Sequence, residues 1–259
     1  MSNRMKVIIL AGGMQSAISN EQEGIPKPMA ELGGKPLLWH IMKHFSQYGY
    51  NDFIICGGYR VAMIKEYFMD FYIYESDITV DLSDNTVEIH KKRTEDWKVT
   101  VVDTGLFSTT GQRVNLIQKY IDEDIFLVTY GDCLSDINIH DLADAHKKSG
   151  KIATMTLAKP SGRNRLFAVA ADGSLYPENR ETDFSNNAWV NADCFVFDKK
   201  VFAYLQGNYD LEKQLLVSLS GKQQLGIWKH RGYWNAIETK RDLVEAENLW
   251  NAGLAPWIK

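Results

Sequence analysis

Met5-Lys6-Val7-Ile8-Ile9-Leu10-Ala11-Gly12-Gly13, then after a loop Gly24-Ile25-Pro26-Lys27-Pro28-Met29 and Leu32-Gly33-Gly34-Lys35-Pro36-Leu37-Leu38, decide the fold. Val7 to Ala11 is an unbroken apolar run, which suits a strand buried on both faces of a parallel sheet. Gly12 and Gly13 let the backbone come close to a ligand at the edge where open α/β sheets bind. Pro26 and Pro28 fix φ and push the residues before them towards extended geometry, so Lys27 is presented from a stiff segment. A lysine held this way suits a phosphate. On these residues alone an exposed lysine in a turn stays open as the plainer reading.

The same grammar repeats outward. Pro36 fits a first helical position, and Leu37, Leu38, Ile41, Met42, Phe45 and Tyr48 recur at helical spacing up to Gly49. His40 and His44 lie one turn apart on that helix, but with no third ligand nearby they read as packing or surface histidines. Phe53 to Cys56 is a second buried strand ending in Gly57-Gly58, and a helix follows through Ile64, Tyr67 and Phe68. Between Tyr72 and Val102 the pattern alternates around Asn85, which reads as an antiparallel excursion and a candidate subunit contact. Val99 to Val102 then rejoins the main sheet.

Thr109-Thr110-Gly111-Gln112-Arg113 precedes a helix through Leu116, Ile117 and Tyr120. Phe126 to Tyr130 is a further buried strand, and it delivers Asp132 just beyond its carboxyl end, where a hard dication such as Mg²⁺ takes carboxylate, phosphate and water oxygens. Asp136 reads as a turn residue or as the cap of a helix beginning near Ile139. Leu243, Ala246, Leu249 and Trp250 give a last helix that packs on the sheet or on another subunit.

A chain of 259 residues with 45% hydrophobic and 24% charged residues is long enough for one large α/β domain, taken here as 1–259. The formal charge of -4 gives no reason to expect nucleic acid or an anionic membrane as partner. Cys56, Cys133 and Cys194 are scattered without metal-ligand spacing and read as buried thiols of a reducing compartment. No apolar stretch reaches the roughly 20 residues of a membrane helix, and the start lacks a signal-peptide core, so the expected location is cytoplasmic.

Taken together, Leu-Ala-Gly-Gly, the loop, Pro-Lys-Pro-Met and Leu-Gly-Gly-Lys-Pro-Leu-Leu resemble the amino-terminal signature of the sugar-1-phosphate nucleotidylyltransferases, and most of all their glucose-1-phosphate cytidylyltransferase branch. The likeness continues through Asp52 to Tyr59, Val102-Asp103-Thr104-Gly105, Thr129-Tyr130-Gly131-Asp132 and Ala255-Pro256-Trp257. It implies a single Rossmann-like α/β domain, with a mixed, mainly parallel central sheet flanked by helices plus the small antiparallel excursion. It also implies nucleotide contacts from Leu10, Ala11, Gly12, Gly13, Thr110, Gly111, Arg113 and Asp132. Lys27 and Asp132 would be catalytic, Lys27, Arg163, Glu181 and Asn191 would face the acceptor, and Asp132 and Glu238 would hold Mg²⁺. The implied partners are a nucleoside triphosphate and a phosphorylated acceptor, in a homo-oligomer.

Departures from the family pattern bear on function. The family's loop arginine falls at Ala17, after Gln15 and Ser16, and loss of such a charge stabiliser costs on the order of 10²- to 10³-fold in rate. The family's Glu-Lys-Pro stands here as Glu181-Thr182-Asp183, its Asn-Gly-Gly as Asn191-Ala192-Asp193, and Arg165 replaces a glycine. The second metal-binding aspartate is Glu238 here. Two readings remain open: a magnesium-dependent nucleotidylyltransferase using CTP with an altered acceptor, or a homologue that has lost catalysis and serves as a nucleotide-binding or assembly partner. A dinucleotide oxidoreductase is disfavoured, since Gly-x-Gly-x-x-Gly is absent after the first strand.

Overall fold

Strand β1, Val7–Ala11, is buried at every residue. Val7, Ile9 and Ala11 enter one apolar layer while Ile8 and Leu10 enter the other, as a strand covered on both faces requires. The computed structural model describes residues 5–13, 24–92, 95–159, 168–169, 175–176, 189–207 and 209–258. Within them β1 is followed by β2 (Asp52–Gly57), β3 (Lys98–Asp103), β4 (Ile125–Tyr130), β5 (Ala153–Ala158), β6 (Val190–Asp198) and β7 (Leu225–Lys229). These form one seven-stranded sheet in the order β7-β5-β6-β4-β1-β2-β3. β6 runs antiparallel to both of its neighbours, and the other pairings are parallel. The carboxyl ends of the parallel strands and the amino end of β6 therefore share one edge.

Helix α1, Leu37–Ser46, buries Leu37, Leu38, Ile41, Met42 and Phe45 against one sheet face, where the last helix and Trp257 join them. Leu38 is fully buried, so Leu38→Ala would cost about 2–5 kcal/mol. Helix α2, Val61–Met69, adds Ile64 to the same layer, and the other face is covered by α3, Thr110–Leu116, and by the segment Leu211–Leu219. Pro36 is not the first helical residue as expected. It is still extended, with ψ 151°, because it closes a short ribbon in which Glu31 pairs with Pro36, and the helix starts one residue later.

The expected excursion is a two-stranded ribbon, Ser76–Asp81 against Thr86–Lys92, with Asn85 at φ 57° in its turn. Ile78 faces Ile89 and Val80 faces Val87, so one face of the ribbon is apolar and largely exposed. Two other local expectations need correction. Helix α4, Ile139–Ser149, is capped by Asn138, whose side chain accepts from the Asp141 amide, while Asp136 lies against His230 at 2.8 Å. Thr110 to Arg113 do not precede a helix but form the opening of α3, and Thr109 caps it through a reciprocal pairing with Gln112.

Histidines 40 and 44 are both buried packing groups. The Trp257 indole N–H donates to His40 Nδ1 at 3.2 Å, which leaves Nε2 to donate to the Leu32 carbonyl at 2.8 Å. Burial pulls the His40 pKa down to about 4, so the ring is neutral at pH 7. Trp257 is fully buried, which assigns it to the core of this chain. The cysteines are free and buried, as expected. Among the described residues no helix is long and apolar enough to cross a membrane.

Candidate active site

A cavity of about 520 Å³ opens at the carboxyl edge of β1 and β4. Its floor is the end of β1: Leu10, Ala11, Gly12 and Gly13 all line it, together with Lys27, Thr110, Arg113 and Asp132. Eight residues singled out from sequence thus meet in one concavity. Gly12 is needed for space, because a Cβ there would overlap the Arg113 guanidinium. Gly58, the residue after β2, packs on it, and a Cβ there would stand 2.7 Å from the Gly12 carbonyl.

Arg113 is 4% exposed, and its donors are turned inward. One terminal nitrogen donates to the Gly57 carbonyl at 3.1 Å and to Thr104 Oγ1 at 2.6 Å. The other donates to the Gly12 carbonyl at 2.7 Å and to the Leu106 carbonyl at 3.3 Å. The sequence reading placed this cation on the nucleotide. The geometry makes it first a brace that holds together the ends of β1 and β2 and the loop after β3. Burial lowers its pKa, yet it has four acceptors around it and stays charged. Gly111 does not line the cavity. Its amide donates to the Tyr209 carbonyl at 3.0 Å, and a side chain there would collide with that carbonyl.

Lys27 opens a short 3₁₀ turn whose start is fixed by Pro26 in an extended conformation, so the stiff presentation inferred from the prolines is what the backbone shows. Its ammonium donates to Asp132 Oδ2 at 2.7 Å, with both side chains about three-quarters buried. Desolvation pulls the Lys27 pKa down, but the charge and hydrogen bond of Asp132, with Glu238 adding to them, raise it above its ordinary value. The ion pair sits at the cavity wall. Glu238 is exposed and follows Ile237, whose amide donates to the Asp132 carbonyl at 2.8 Å, so the two carboxylates belong to adjoining loops.

Asn191 faces inward on β6. Its amide nitrogen donates to Asp193 Oδ1 at 2.8 Å and Glu212 Oε1 at 2.9 Å, and Tyr130 donates to the same Glu212 oxygen at 3.1 Å. Asp193 sits in the left-handed region at φ 54°, a conformation that favours glycine. Burial holds its carboxyl well above the usual carboxylate range, and Cys133 Sγ donates to it at 3.0 Å. A continuous polar chain therefore runs from Tyr130 through Glu212, Asn191, Asp193 and Cys133 towards Asp132.

Arg163, Glu181, Thr182 and Asp183, together with Gln15, Ser16, Ala17 and Arg165, lie outside the described residues. Sequence reasoning missed Leu106, Phe107, Ser108, Tyr130 and Asp210 as lining residues. Leu106 and Phe107 carried a legible signal: two apolar residues in a loop between Gly105 and the helix cap Thr109, and Phe107 is 83% exposed over the cavity.

Comparison with known proteins bears on family and fold. The glucose-1-phosphate cytidylyltransferase of Salmonella typhi is 41% identical over 255 residues, covering 98% of each chain. Among solved structures, HddC from Yersinia pseudotuberculosis superposes with a TM-score of 0.72 at 18% identity, over 95% of this chain and 99% of that one. The inositol-1-phosphate CTP transferase from T. maritima superposes with a TM-score of 0.68 at 15% identity, over 96% and 95% respectively, and at these identities the likeness speaks for the fold. The family match described as nucleotidyl transferase spans residues 6–252, so that with a cavity edged by Gly12, Gly13, Lys27 and Asp132 this chain belongs to the nucleotidyl transferase family.

Proposed function

We propose that this chain joins a nucleoside triphosphate, CTP first among them, to a sugar 1-phosphate or a related phosphorylated acceptor, releasing pyrophosphate. The observation that carries the reading is the Lys27–Asp132 pair on the wall of a cavity floored by Gly12 and Gly13. An acceptor phosphate oxygen attacks the α-phosphorus in line. The bond to the β-phosphate oxygen breaks, and its electron pair leaves with pyrophosphate. No covalent enzyme intermediate is needed, so the protein's work is placement and charge neutralisation. Lys27 holds the acceptor phosphate once it exchanges Asp132 for phosphate oxygens, Gly12 and Gly13 admit the triphosphate to the backbone, and Arg113 keeps that backbone in place.

Asp132 and Glu238 are the carboxylates that would hold Mg²⁺, which when bound draws charge from the phosphate oxygens. Their chemistry fits, because Mg²⁺ takes one or two carboxylates and fills its remaining positions with phosphate and water. Among the described residues no group of three or more His, Cys, Asp and Glu side chains forms a closed metal cage. The proposal includes a homo-oligomer, which light scattering after size exclusion tests.

A pyrophosphate-release assay with CTP, UTP, dTTP, ATP and GTP, each with glucose 1-phosphate and Mg²⁺, tests the reading. Release with CTP above the other nucleotides supports it. The second reading, a homologue that binds nucleotide without turnover, draws on Ala17 and on Thr182, which stand where the family carries cations. It predicts thermal stabilisation by CTP with no pyrophosphate from any acceptor, including after Ala17→Arg.

A further inference from the structure

The cavity wall carries a carboxylate that no assigned role uses. Asp210 lines the cavity together with Phe107, Thr109 and Thr110. Both of its neighbours are tied to the start of α3: the Tyr209 carbonyl accepts from Thr109 Oγ1 at 2.6 Å and from the Gly111 amide at 3.0 Å, and the Leu211 amide donates to Thr110 Oγ1 at 2.9 Å. Asp210 is thus held in place from both sides. One of its oxygens, Oδ1, accepts from the Lys213 amide at 2.8 Å and caps the segment Leu211–Leu216. Its other oxygen has no such task. The cavity's second carboxylate, Asp132, is paired with Lys27, whereas among the described residues no ion pair reaches Asp210.

We infer that Asp210 determines which nucleobase is taken, its free oxygen accepting a hydrogen bond from the exocyclic amino group of the base. An unpaired carboxylate repels a triphosphate, so a cavity for that ligand keeps one only where a donor meets it. The base supplies that donor. Cytosine presents an N4 amino group where uracil presents the O4 acceptor, and an ionised carboxylate is acceptor-only, so uracil would set oxygen against oxygen. One such contact is worth roughly ten- to hundredfold in discrimination. Phe107, 83% exposed on the same cavity, offers a stacking face that serves either pyrimidine, and the backbone at Gly12 and Gly13 meets phosphate alone. Base choice then falls to Asp210. The inference rests on the nucleotidyl-transfer reading and assigns its CTP preference to one side chain.

The test measures kcat and KM for CTP and UTP, with glucose 1-phosphate and Mg²⁺, in the full chain and in Asp210→Asn. Asparagine caps a helix as well as aspartate does, and its amide can turn a donor towards uracil O4. In the unaltered chain CTP should exceed UTP in kcat/KM by about tenfold or more. Asp210→Asn should bring the ratio close to one through KM, with UTP gaining and kcat for CTP kept, whereas Phe107→Ala should weaken both nucleotides and leave the ratio intact. N4,N4-dimethyl-CTP, which lacks both amino hydrogens, should bind the unaltered chain no better than UTP. A ratio near one in the unaltered chain, a ratio that survives Asp210→Asn, or dimethylated CTP bound as tightly as CTP overturns the inference. If no pyrophosphate is released, calorimetric titration with CTP and UTP decides separately. Tighter binding of CTP that is lost in Asp210→Asn keeps the role of Asp210 while nucleotidyl transfer fails, and no heat with either nucleotide overturns it.

Discussion

The two ends of the ligand-binding edge are built in different ways. At β1 and β2 the edge is backbone: Gly12 and Gly58 pack closely, Gly13 leaves open space beside them, and one buried arginine hydrogen-bonds the loops into place. At β6 it is side chain: Asn191 and Asp193 occupy the corresponding rim. A backbone surface admits any polyphosphate, whose oxygens look alike. A side-chain surface discriminates, because each group must be matched or left unpaired. Handling of the triphosphate should therefore be generic at the first end, whatever the base, and acceptor choice particular at the second.

Lys27→Met breaks the junction between the two ends. It removes the cation and leaves Asp132 without its ion pair, so kcat/KM for pyrophosphate release should fall about 10³-fold. Gly12→Ala attacks the backbone end alone. The new methyl group must displace Arg113, and a shift of this kind costs roughly 10²-fold in rate. A Tm loss of several degrees should accompany it, because four acceptors lose geometry together. If Gly12→Ala binds CTP normally, the nucleotide does not lie on this floor. Phe107→Ala should raise KM for CTP about tenfold through loss of base stacking, and the effect should be similar for UTP because stacking is tolerant of the base.

The smallest effect belongs to the side-chain end. The Asp193 carboxyl has its folded pKa raised by burial above the ordinary 3.8. Its protonated form is favoured in the fold, so that contribution to stability is full below 3.8 and is lost as pH rises towards the folded value. Asp193→Asn keeps the left-handed backbone tolerable and removes this loss. The variant should gain Tm over the unaltered chain between pH 5 and pH 8, by about 2–4 °C for each kcal/mol recovered. Equal Tm slopes with pH would show that the carboxyl ionises freely.

How much of this was legible depended on whether the signal was local. The buried run Val7 to Ala11, the glycines after it, the prolines around Lys27 and the ribbon about Asn85 declare themselves within a few residues, and the fold followed from them. Lys27 and Asp132 were legible one at a time. That they form an ion pair across 105 residues was not, because no spacing encodes it. Arg113 shows the limit more sharply: an arginine near a helix start reads as a ligand contact, and only the carbonyls of Gly57, Gly12 and Leu106 around it show that its charge is used internally. Asp210 was invisible for the same reason, since the hydrogen bonds of Tyr209 and Leu211 to the start of α3, and not sequence distance, bring it to the cavity.

The hydrogen bond from Trp257 to His40 joins residues 217 positions apart. Such a contact cannot close until nearly all of the intervening polypeptide exists and has collapsed, so the face of the sheet beneath α1 is completed last. A growing chain still attached to the ribosome would expose Leu37, Leu38 and Ile41 for most of its synthesis. Chaperone demand should then last longer on this face than on the other, whose cover is complete once the segment Leu211–Leu219 has been made.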